Sequence, residues 1–437
     1  MRIVLSAAGR PRLGQEVIRS IWAVLDQAAV SLVNFALNFS LARWASPEVY
    51  GVFVIVFSLL LLVYSSIQVP LVLDPLIILG GKKGQVSQTV YARRSLLFSI
   101  AISVVSVGVL FIGALLLGLM GEVIYARAAF LASMPLFFMG FRYFVRCFYI
   151  MKGEFFKAFI NDASVLFVLG LGFIGLIYWG TINEWTVVIL LCVAEFVASS
   201  LWLVIKRVQV CRVVYGLFRD VKLQPAFWRW DEIRQNWGYG KWLLLANGAS
   251  YAYQNAQFLL LPLFVPLAGL AGYRASFLLA QPIYLFTTGL EAFAWNRGTR
   301  AMHRGGLGEL QGFMVRMGVL VSLLILLYTG LIGTQAHWIM ELAYGGKYTE
   351  FSRLIWFFSL AALFGFWGKI LGAGFRSLEA TNVIFLGVFY TGMVGFVVFL
   401  VLTRAFGVTG AAVSYMVSSF VSTLILAGYW YRVVKGG

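Results

Sequence analysis

Polar side chains recur inside stretches of the chain that are otherwise apolar. In residues 22–44, WAVLDQAAVSLVNFALNFSLARW, the side chains of Gln27, Ser31, Asn34 and Asn38 fall within about 60° of one another on a helix. Lipid cannot satisfy an amide, so this stripe must face protein or water. The pattern predicts one polar wall of a hydrated cavity, and hydrogen bonding between packed helices is the alternative.

A second polar band occurs in residues 241–263, KWLLLANGASYAYQNAQFLLLPL. It is broader than the first band but is also one-sided on a helix, so it is subject to the same constraint. We predict that the two bands are facing walls of one cavity. The residues of the second band expected to line this cavity are Asn247, Tyr251, Gln254 and Asn255.

Two arginines lie within an apolar run, in residues 137–153, FFMGFRYFVRCFYIMKG. Arg142 and Arg146 are four residues apart and therefore share one helical face. Charges within a membrane span are costly and are usually functional. Arg146 is close enough to the predicted interface to extend its head group into water, whereas Arg142 lies deeper.

Acidic residues inside predicted spans are candidates for binding a coupling ion. Asp26, Glu195 and Glu291 are predicted to have this role, and Glu195 alternatively becomes neutral by taking up a proton on burial. Asp74 and Asp162 lie near the ends of predicted helices, where capping or placement at the interface is the simpler expectation.

The sequence contains no familiar catalytic or metal-binding motif. It has no glycine-rich phosphate loop, no HExxH and no Ser/His/Asp order, and its cysteines and histidines do not cluster. We therefore expect no metal, no cofactor and no enzymatic activity. The cysteines and histidines are Cys147, Cys192, Cys211, His303 and His337.

The elements that must position these side chains are predicted to be membrane-spanning helices. Of the 437 residues, 61% are hydrophobic and 12% are charged, against roughly 45–50% and about 25% in soluble domains. The apolar runs lack the alternation of barrel strands. The sequence thus predicts an all-α polytopic membrane protein with about 12 transmembrane helices. The predicted spans are 20–43, 50–70, 95–119, 128–150, 162–180, 185–205, 239–265, 272–293, 312–334, 351–371, 382–402 and 409–431.

The distribution of basic residues predicts the orientation in the membrane. With the N-terminus inside, 26 of the 34 lysines and arginines fall in inside loops, Lys369 among them. Arg274 is assigned to an outside loop on the same scheme. Both termini are therefore predicted to be cytoplasmic. The net charge of +17 follows from this bias, and no nucleic-acid partner is expected.

An internal repeat divides the predicted spans into two halves of six. An offset of 221 residues pairs Asp26 with Asn247, and it holds across five spans. Parallel repeats of this kind enclose a substrate site near the midplane. The other matched pairs are Asn34 with Asn255, Gly51 with Gly272, Gly153 with Gly374 and Asn161 with Asn382. The predicted divisions are a cytoplasmic segment 1–19, an N-lobe 20–205, a cytoplasmic linker 206–238, a C-lobe 239–431 and a cytoplasmic tail 432–437.

Several segments together resemble the Wzx-type oligosaccharide flippases of the multidrug/oligosaccharidyl-lipid/polysaccharide (MOP) superfamily. The resemblance rests on the polar first helix, on the turn and the helix that follow it, and on a stretch after the fourth span. It extends to the arrangement of twelve helices in two halves around a central cavity. The segments are residues 25–63, LARW at 41–44, SPEVYG at 46–51, LVLDP at 71–75 and MKGEFFKAFIND at 151–162.

The resemblance implies transport of an undecaprenyl-diphosphate-linked oligosaccharide across the bacterial cytoplasmic membrane for surface polysaccharide synthesis. It also implies alternating access coupled to H⁺ or Na⁺, with membrane lipids, a polysaccharide polymerase and a chain-length regulator as expected partners. Basic residues near the cytoplasmic entrance would then capture the diphosphate through charge-assisted hydrogen bonds. These residues are Arg142, Arg146, Lys241, Arg297 and Arg300.

Other functions remain open from the sequence. A multidrug or cation antiporter of the same broad fold would need an acidic or aromatic cavity, which the basic residues at the predicted entrance oppose. A lipid II flippase usually has fourteen helices rather than twelve. A membrane glycan polymerase would need an external catalytic loop, and the longest outer segment, residues 335–350, offers only His337 and Glu341 at helical spacing.

Overall fold

The computed structural model describes residues 13–82, 85–205, 230–378 and 380–436, and within these ranges all regular secondary structure is helical, without strands. Short 3₁₀ turns occur at Leu261–Leu263 and Thr349–Phe351. The α-helices are α1 Leu13–Trp44, α2 Pro47–Val63, α3 Asp74–Gly81, α4 Gln85–Leu119, α5 Val123–Met151, α6 Phe155–Tyr178, α7 Glu184–Ile205, α8 Trp230–Gln254, α9 Ala256–Leu260, α10 Leu267–Thr334, α11 Ala336–Tyr344, α12 Leu354–Ser377 and α13 Thr381–Gly436.

Two of these helices are too long for a single crossing and are broken at glycines. Helix α10 has 68 residues and departs from helical geometry at Gly305 and Gly306, where φ of Gly306 is 66°. Helix α13 has 56 residues and breaks at Gly407, where φ is 56°. About 20 helical residues span the hydrocarbon core, so each helix forms two limbs that cross in opposite directions.

The predicted spans correspond to helices. Each of the twelve apolar runs falls largely on one helix or on one limb of a broken helix. By length and composition, eight described segments can cross a membrane, and the longest, Val383–Lys435, contains both limbs of α13. These observations confirm the all-α, multi-pass architecture. Of the predicted linker, residues 206–229 lie outside the described ranges, and α8 already begins at Trp230.

Within each predicted half, neighbouring helices pack into a bundle. In the N-lobe, α4 and α7 pack against α5, and α1 packs against α6. In the C-lobe, α12 packs between α10 and α13. The halves meet where α8 runs along the continuation of α2 and where α10 packs against α2. There, a Cβ at Gly240 would lie 2.4 Å from the carbonyl oxygen of Pro70, so only glycine permits this approach.

The continuation of α2 is a π-helix, Tyr64–Leu73, with Pro70 inside it. In this register each N–H bonds the carbonyl five residues back, so Pro70, which has no N–H, leaves the carbonyl of Ser65 without its helical donor. Asn247 Nδ2 of α8 donates to that oxygen at 3.0 Å. The polar side chain on α8 thus satisfies a backbone defect in the opposite half.

Candidate functional site

A cluster of buried charges joins four helices of the N-lobe. Arg142 on α5 donates through Nε to Glu195 on α7 and through Nη1 to Asp162 on α6. Arg146, one turn further along α5, donates through Nε to Asp162 at 2.8 Å and through Nη2 to Asp26 on α1. The i, i+4 spacing seen in the sequence therefore places both arginines on the face that points into the bundle.

The placement of Asp162 differs from the sequence expectation. Helix α6 begins at Phe155, so Asp162 lies two turns inside it rather than at its end, and it is 0% exposed. Its two carboxylate oxygens bind Arg142 and Arg146 separately. Asp162 is thus the centre of the cluster, and no sequence pattern groups it with Arg142 and Arg146, which lie 20 and 16 positions before it.

The cluster contains one more carboxylate than guanidinium groups. Three acids, Asp26, Asp162 and Glu195, face Arg142 and Arg146, which leaves a formal charge of −1. The Oδ1 atom of Asp26 is buried and has no hydrogen-bond partner. An uncompensated buried charge is unfavourable, so a single proton or monovalent cation at this oxygen would neutralise the cluster.

The polar stripe of α1 becomes more buried towards the interface between the halves. Gln27 is exposed, Ser31 and Asn34 are half-buried, and Asn38 is fully buried. Asn38 Nδ2 donates to Asn34 O at 2.9 Å, and Asn38 Oδ1 accepts from Arg274 Nε at 3.3 Å. The exposure of the stripe therefore falls from Gln27 to Asn38, and its role as the wall of a hydrated cavity stays a prediction.

Arg274 lies beside Asn38, at the buried end of the α1 stripe. The sequence assignment to an outer loop was wrong, because α10 begins at Leu267 and places Arg274 two turns inside the helix, where it is 8% exposed. Its guanidinium group lies 4.7 Å from the ring of Phe258 and 5.6 Å from that of Phe277. Among the described residues, no carboxylate forms an ion pair with Arg274. One feature of the sequence indicated the burial of Arg274, namely its position close to the start of a predicted span.

Contacts between the halves close the predicted outer side. Lys347 Nζ donates to the carbonyl oxygens of Arg43 and Ala45, both at 2.8 Å. Burial, together with the nearby Arg43, lowers the pKa of Lys347. The rings of Phe39 and Tyr344 add an aromatic contact at 5.6 Å.

The polar residues of α8 have separate roles. Asn247 bonds Ser65, and the Tyr251 hydroxyl donates to the Ser58 carbonyl of α2 at 2.5 Å. Both side chains therefore form interhelical hydrogen bonds across the two halves. Asn255 instead lines a cavity within the C-lobe. The Gln254 side chain lies outside the described part of the structure.

The C-lobe cavity, about 470 Å³, lies between the first limb of α10, α12 and α13. Arg376 donates to Glu291 at 3.0 Å at one end of it, and Lys369 donates to the Thr288 hydroxyl at 2.7 Å. The assignment of Lys369 to an inside loop was wrong, because α12 continues to Ser377 and places Lys369 within its last turns. Glu291, a predicted ion-coupling residue, therefore forms a partly exposed ion pair with Arg376 at the edge of this cavity.

The five basic residues predicted to capture a diphosphate lie in different surroundings. Arg142 and Arg146 are paired with carboxylates in the N-lobe. Lys241 is half-buried on α8, with its ammonium group 5.4 Å from the ring centre of Trp242. Arg297 and Arg300 are exposed on the first limb of α10. Their shared role in binding a diphosphate stays a prediction.

Comparison with known proteins identifies the fold. An inward-facing multidrug resistance MATE family transporter of the MOP superfamily superposes with a TM-score of 0.76 at 13% identity, over 94% of this chain and 98% of that one. The lipid II flippase MurJ in an inward closed conformation gives 0.70 at 10% identity, over 95% and 87%. No family model matches the sequence, and no curated protein matches it.

The chain therefore has the fold of the MOP superfamily transporters and is a multi-pass membrane protein. An outward-facing conformation of a MATE family transporter gives a TM-score of only 0.59, at 14% identity over 95% of each chain.

Proposed function

We propose that this protein carries a polyprenyl-diphosphate-linked oligosaccharide across the bacterial cytoplasmic membrane for surface polysaccharide synthesis. The single observation that supports this most is Arg274, a buried cation without an acidic partner among the described residues, beside Asn38 at the buried end of the polar α1 stripe. A buried unpaired cation favours an anionic ligand. A diphosphate linked to a sugar is such a ligand.

The physical task explains why a polar cleft is needed. The headgroup of such a lipid is charged and rich in hydroxyl groups, so its passage through hydrocarbon would be prohibitively costly. Amides and hydroxyls such as those of Gln27, Ser31 and Asn34 replace the water around it, while the polyprenyl tail stays in the bilayer. Alternating access then requires that the contacts at Lys347 open when the cytoplasmic side closes.

We also propose that the N-lobe charge cluster couples this movement to an ion gradient. Protonation at Asp26 would remove the excess negative charge and weaken the link from α1 to Arg146 on α5. Helix α1 carries the polar stripe and meets the other half near Asn38, so a change in its position reaches the cleft directly. We propose H⁺ as the coupling ion, because a proton needs only the unpaired Oδ1 atom to bind it. Na⁺ is the alternative.

The direct test uses the purified protein in liposomes that contain a fluorescent, short-glycan polyprenyl diphosphate. We expect the wild-type protein to make the inner-leaflet lipid accessible to an external quencher at a rate that an inward proton gradient changes. The Arg274→Gln variant should lose at least about tenfold in rate, since charge-assisted bonds contribute more than about 1.4 kcal/mol. Equal rates with and without the wild-type protein would refute the proposal.

A multidrug or cation exporter is the second candidate. It is favoured by the excess of acid in the N-lobe cluster, which could attract a cationic substrate. Deletion of the gene distinguishes the two. Increased sensitivity to cationic drugs with normal surface glycan supports the exporter, whereas accumulation of lipid-linked glycan with unchanged drug sensitivity supports the flippase.

The proposed orientation places both termini in the cytoplasm, with a polysaccharide polymerase and a chain-length regulator acting on the product outside. Reporter fusions at either end test the orientation, because a cytoplasmic location makes an attached green fluorescent protein bright and an attached alkaline phosphatase inactive. The opposite pattern at both termini would invert the assignment of inner and outer sides.

A further inference from the structure

The C-lobe cavity contains buried polar atoms that the protein itself leaves unsatisfied. Thr391 on α13 is 0% exposed, and its Oγ1 atom has no hydrogen-bond partner. Gln281 Oε1, on the first limb of α10, is likewise buried without a partner. Both residues line the cavity. Buried polar groups are nearly always satisfied, so these two atoms call for a hydrogen-bonding partner that the protein itself does not provide.

The charged side chains of the cavity are predominantly basic. Lys369 bonds the hydroxyls of Thr288 and Thr287, at 2.7 and 3.4 Å, and no carboxylate within the described ranges forms an ion pair with it. Arg376 donates one Nη1 hydrogen bond to Glu291. The three ionisable groups Lys369, Arg376 and Glu291 sum to a formal +1. This balance favours an anion over a cation.

One wall of the cavity consists of backbone rather than side chains. Gly365 and Gly372 on α12 line it, and a Cβ built at either residue meets nothing within 4 Å. Seven residues separate them, so they share one helical face. A ligand can therefore approach α12 closely, while the rings of Phe277 and Tyr415 on neighbouring helices provide flat apolar surfaces.

We propose that this cavity is a second subsite for the headgroup of the transported lipid, separate from the polar stripe of α1. Phosphate oxygens bind Lys369 and Arg376, and a sugar ring lies against the glycine wall with its hydroxyls bonded to Gln281 and Thr391. The volume of about 470 Å³ falls in the range of roughly 300–1,000 Å³ typical of small-molecule sites. This inference rests on the proposed flippase function and specifies where the sugar is recognised.

The first test fills the cavity without disturbing its walls. Gly372→Leu projects a side chain into the open space, and Gly428→Leu is the matched control, because Gly428 is exposed on α13 and its Cβ also meets nothing within 4 Å. The probe is farnesyl diphosphate carrying one N-acetylglucosamine, titrated into the purified full-length protein. We expect at least tenfold weaker binding for Gly372→Leu and Lys369→Met, and unchanged binding for the control.

The second test separates the sugar from the phosphates. Thr391→Val keeps the shape of the side chain and removes its hydroxyl, so it should weaken binding of the sugar-bearing probe several-fold and leave plain farnesyl diphosphate unaffected. Melting temperatures of all variants establish that they are folded. Equal affinity of Gly372→Leu and the wild-type protein for the sugar-bearing probe would overturn the subsite, as would the absence of any binding by the wild-type protein.

Failure of this subsite is distinguishable from failure of the flippase function. If cells need the protein for glycan export but Gly372→Leu supports normal export, the subsite is refuted and the flippase function stands. If deletion of the gene leaves export unchanged, the flippase function is refuted, and with it the assignment of this cavity to a transported headgroup.

Discussion

At the residue scale, the most informative group is the guanidinium of Arg142. It is 4% exposed and lies between Glu195 and Asp162, which come from two different helices. A charge in the interior of a membrane bundle needs compensation by partners. Arg142, Glu195 and Asp162 are therefore interdependent, because removal of one leaves a buried charge without its compensating partner.

This interdependence predicts the stability of single and paired substitutions. Arg142→Met should lower the free energy of unfolding by about 3–5 kcal/mol, the usual cost of breaking a buried ion pair. Adding Glu195→Leu restores the formal charge of the cluster to −1 and should recover part of that loss. Thermal unfolding of the purified proteins measures both effects. A double variant no more stable than the single one would contradict the account.

Asp26 has a different role, because it contributes the excess charge. Asp26→Asn makes the cluster neutral, with two arginines facing Asp162 and Glu195. We expect this variant to fold. The change in transport rate that the proton gradient produces should be at least about tenfold smaller than in the wild-type protein, since the group that gains a proton is absent. Asp74→Asn on α3 is the control, and its transport should keep the dependence on the gradient.

At the element scale, the π-helix after α2 explains a polar residue that sequence reasoning placed in a cavity wall. Asn247→Leu leaves the Ser65 carbonyl without a donor and should destabilise the protein by about 1–3 kcal/mol. In a Pro70→Ala background the restored N–H can bond that carbonyl, so the same substitution should cost less. A double-mutant cycle of melting temperatures measures the coupling, and strictly additive effects would rule it out.

The repeat-related glycines also have different structural roles. Gly51 needs its small size, because a Cβ would lie 2.5 Å from the carbonyl oxygen of Leu267, and a Cβ at Gly272 would meet the ring of Phe351 at 2.1 Å. Gly153 adopts φ 71° in the turn before α6, whereas Gly374 is buried inside α12. The shared offset therefore marks close packing in one pair and distinct local structures in the other.

At the scale of the whole molecule, the proposed transport requires the contacts on the predicted outer side to open. Cysteines replacing Phe39 and Tyr344, whose rings are 5.6 Å apart, can be joined by a short, cleavable bifunctional reagent. We expect the cross-linked protein to lose transport and to regain it on cleavage. The background should lack the native thiols, and transport that continues after complete cross-linking would show that this side need not open. The native thiols are Cys147, Cys192 and Cys211.

The sequence by itself determined the helical, multi-pass architecture, because a bilayer admits a spanning backbone only when its polar groups are satisfied within the segment. It also identified Asp26, Arg142, Arg146 and Glu195 as unusual, since charge within an apolar run is visible locally. Only the tertiary structure decided their partners, the burial of Arg274 and the grouping of Lys369 with Thr391. Those relations depend on which faces of distant helices meet, and helical periodicity fixes a face but not its neighbour.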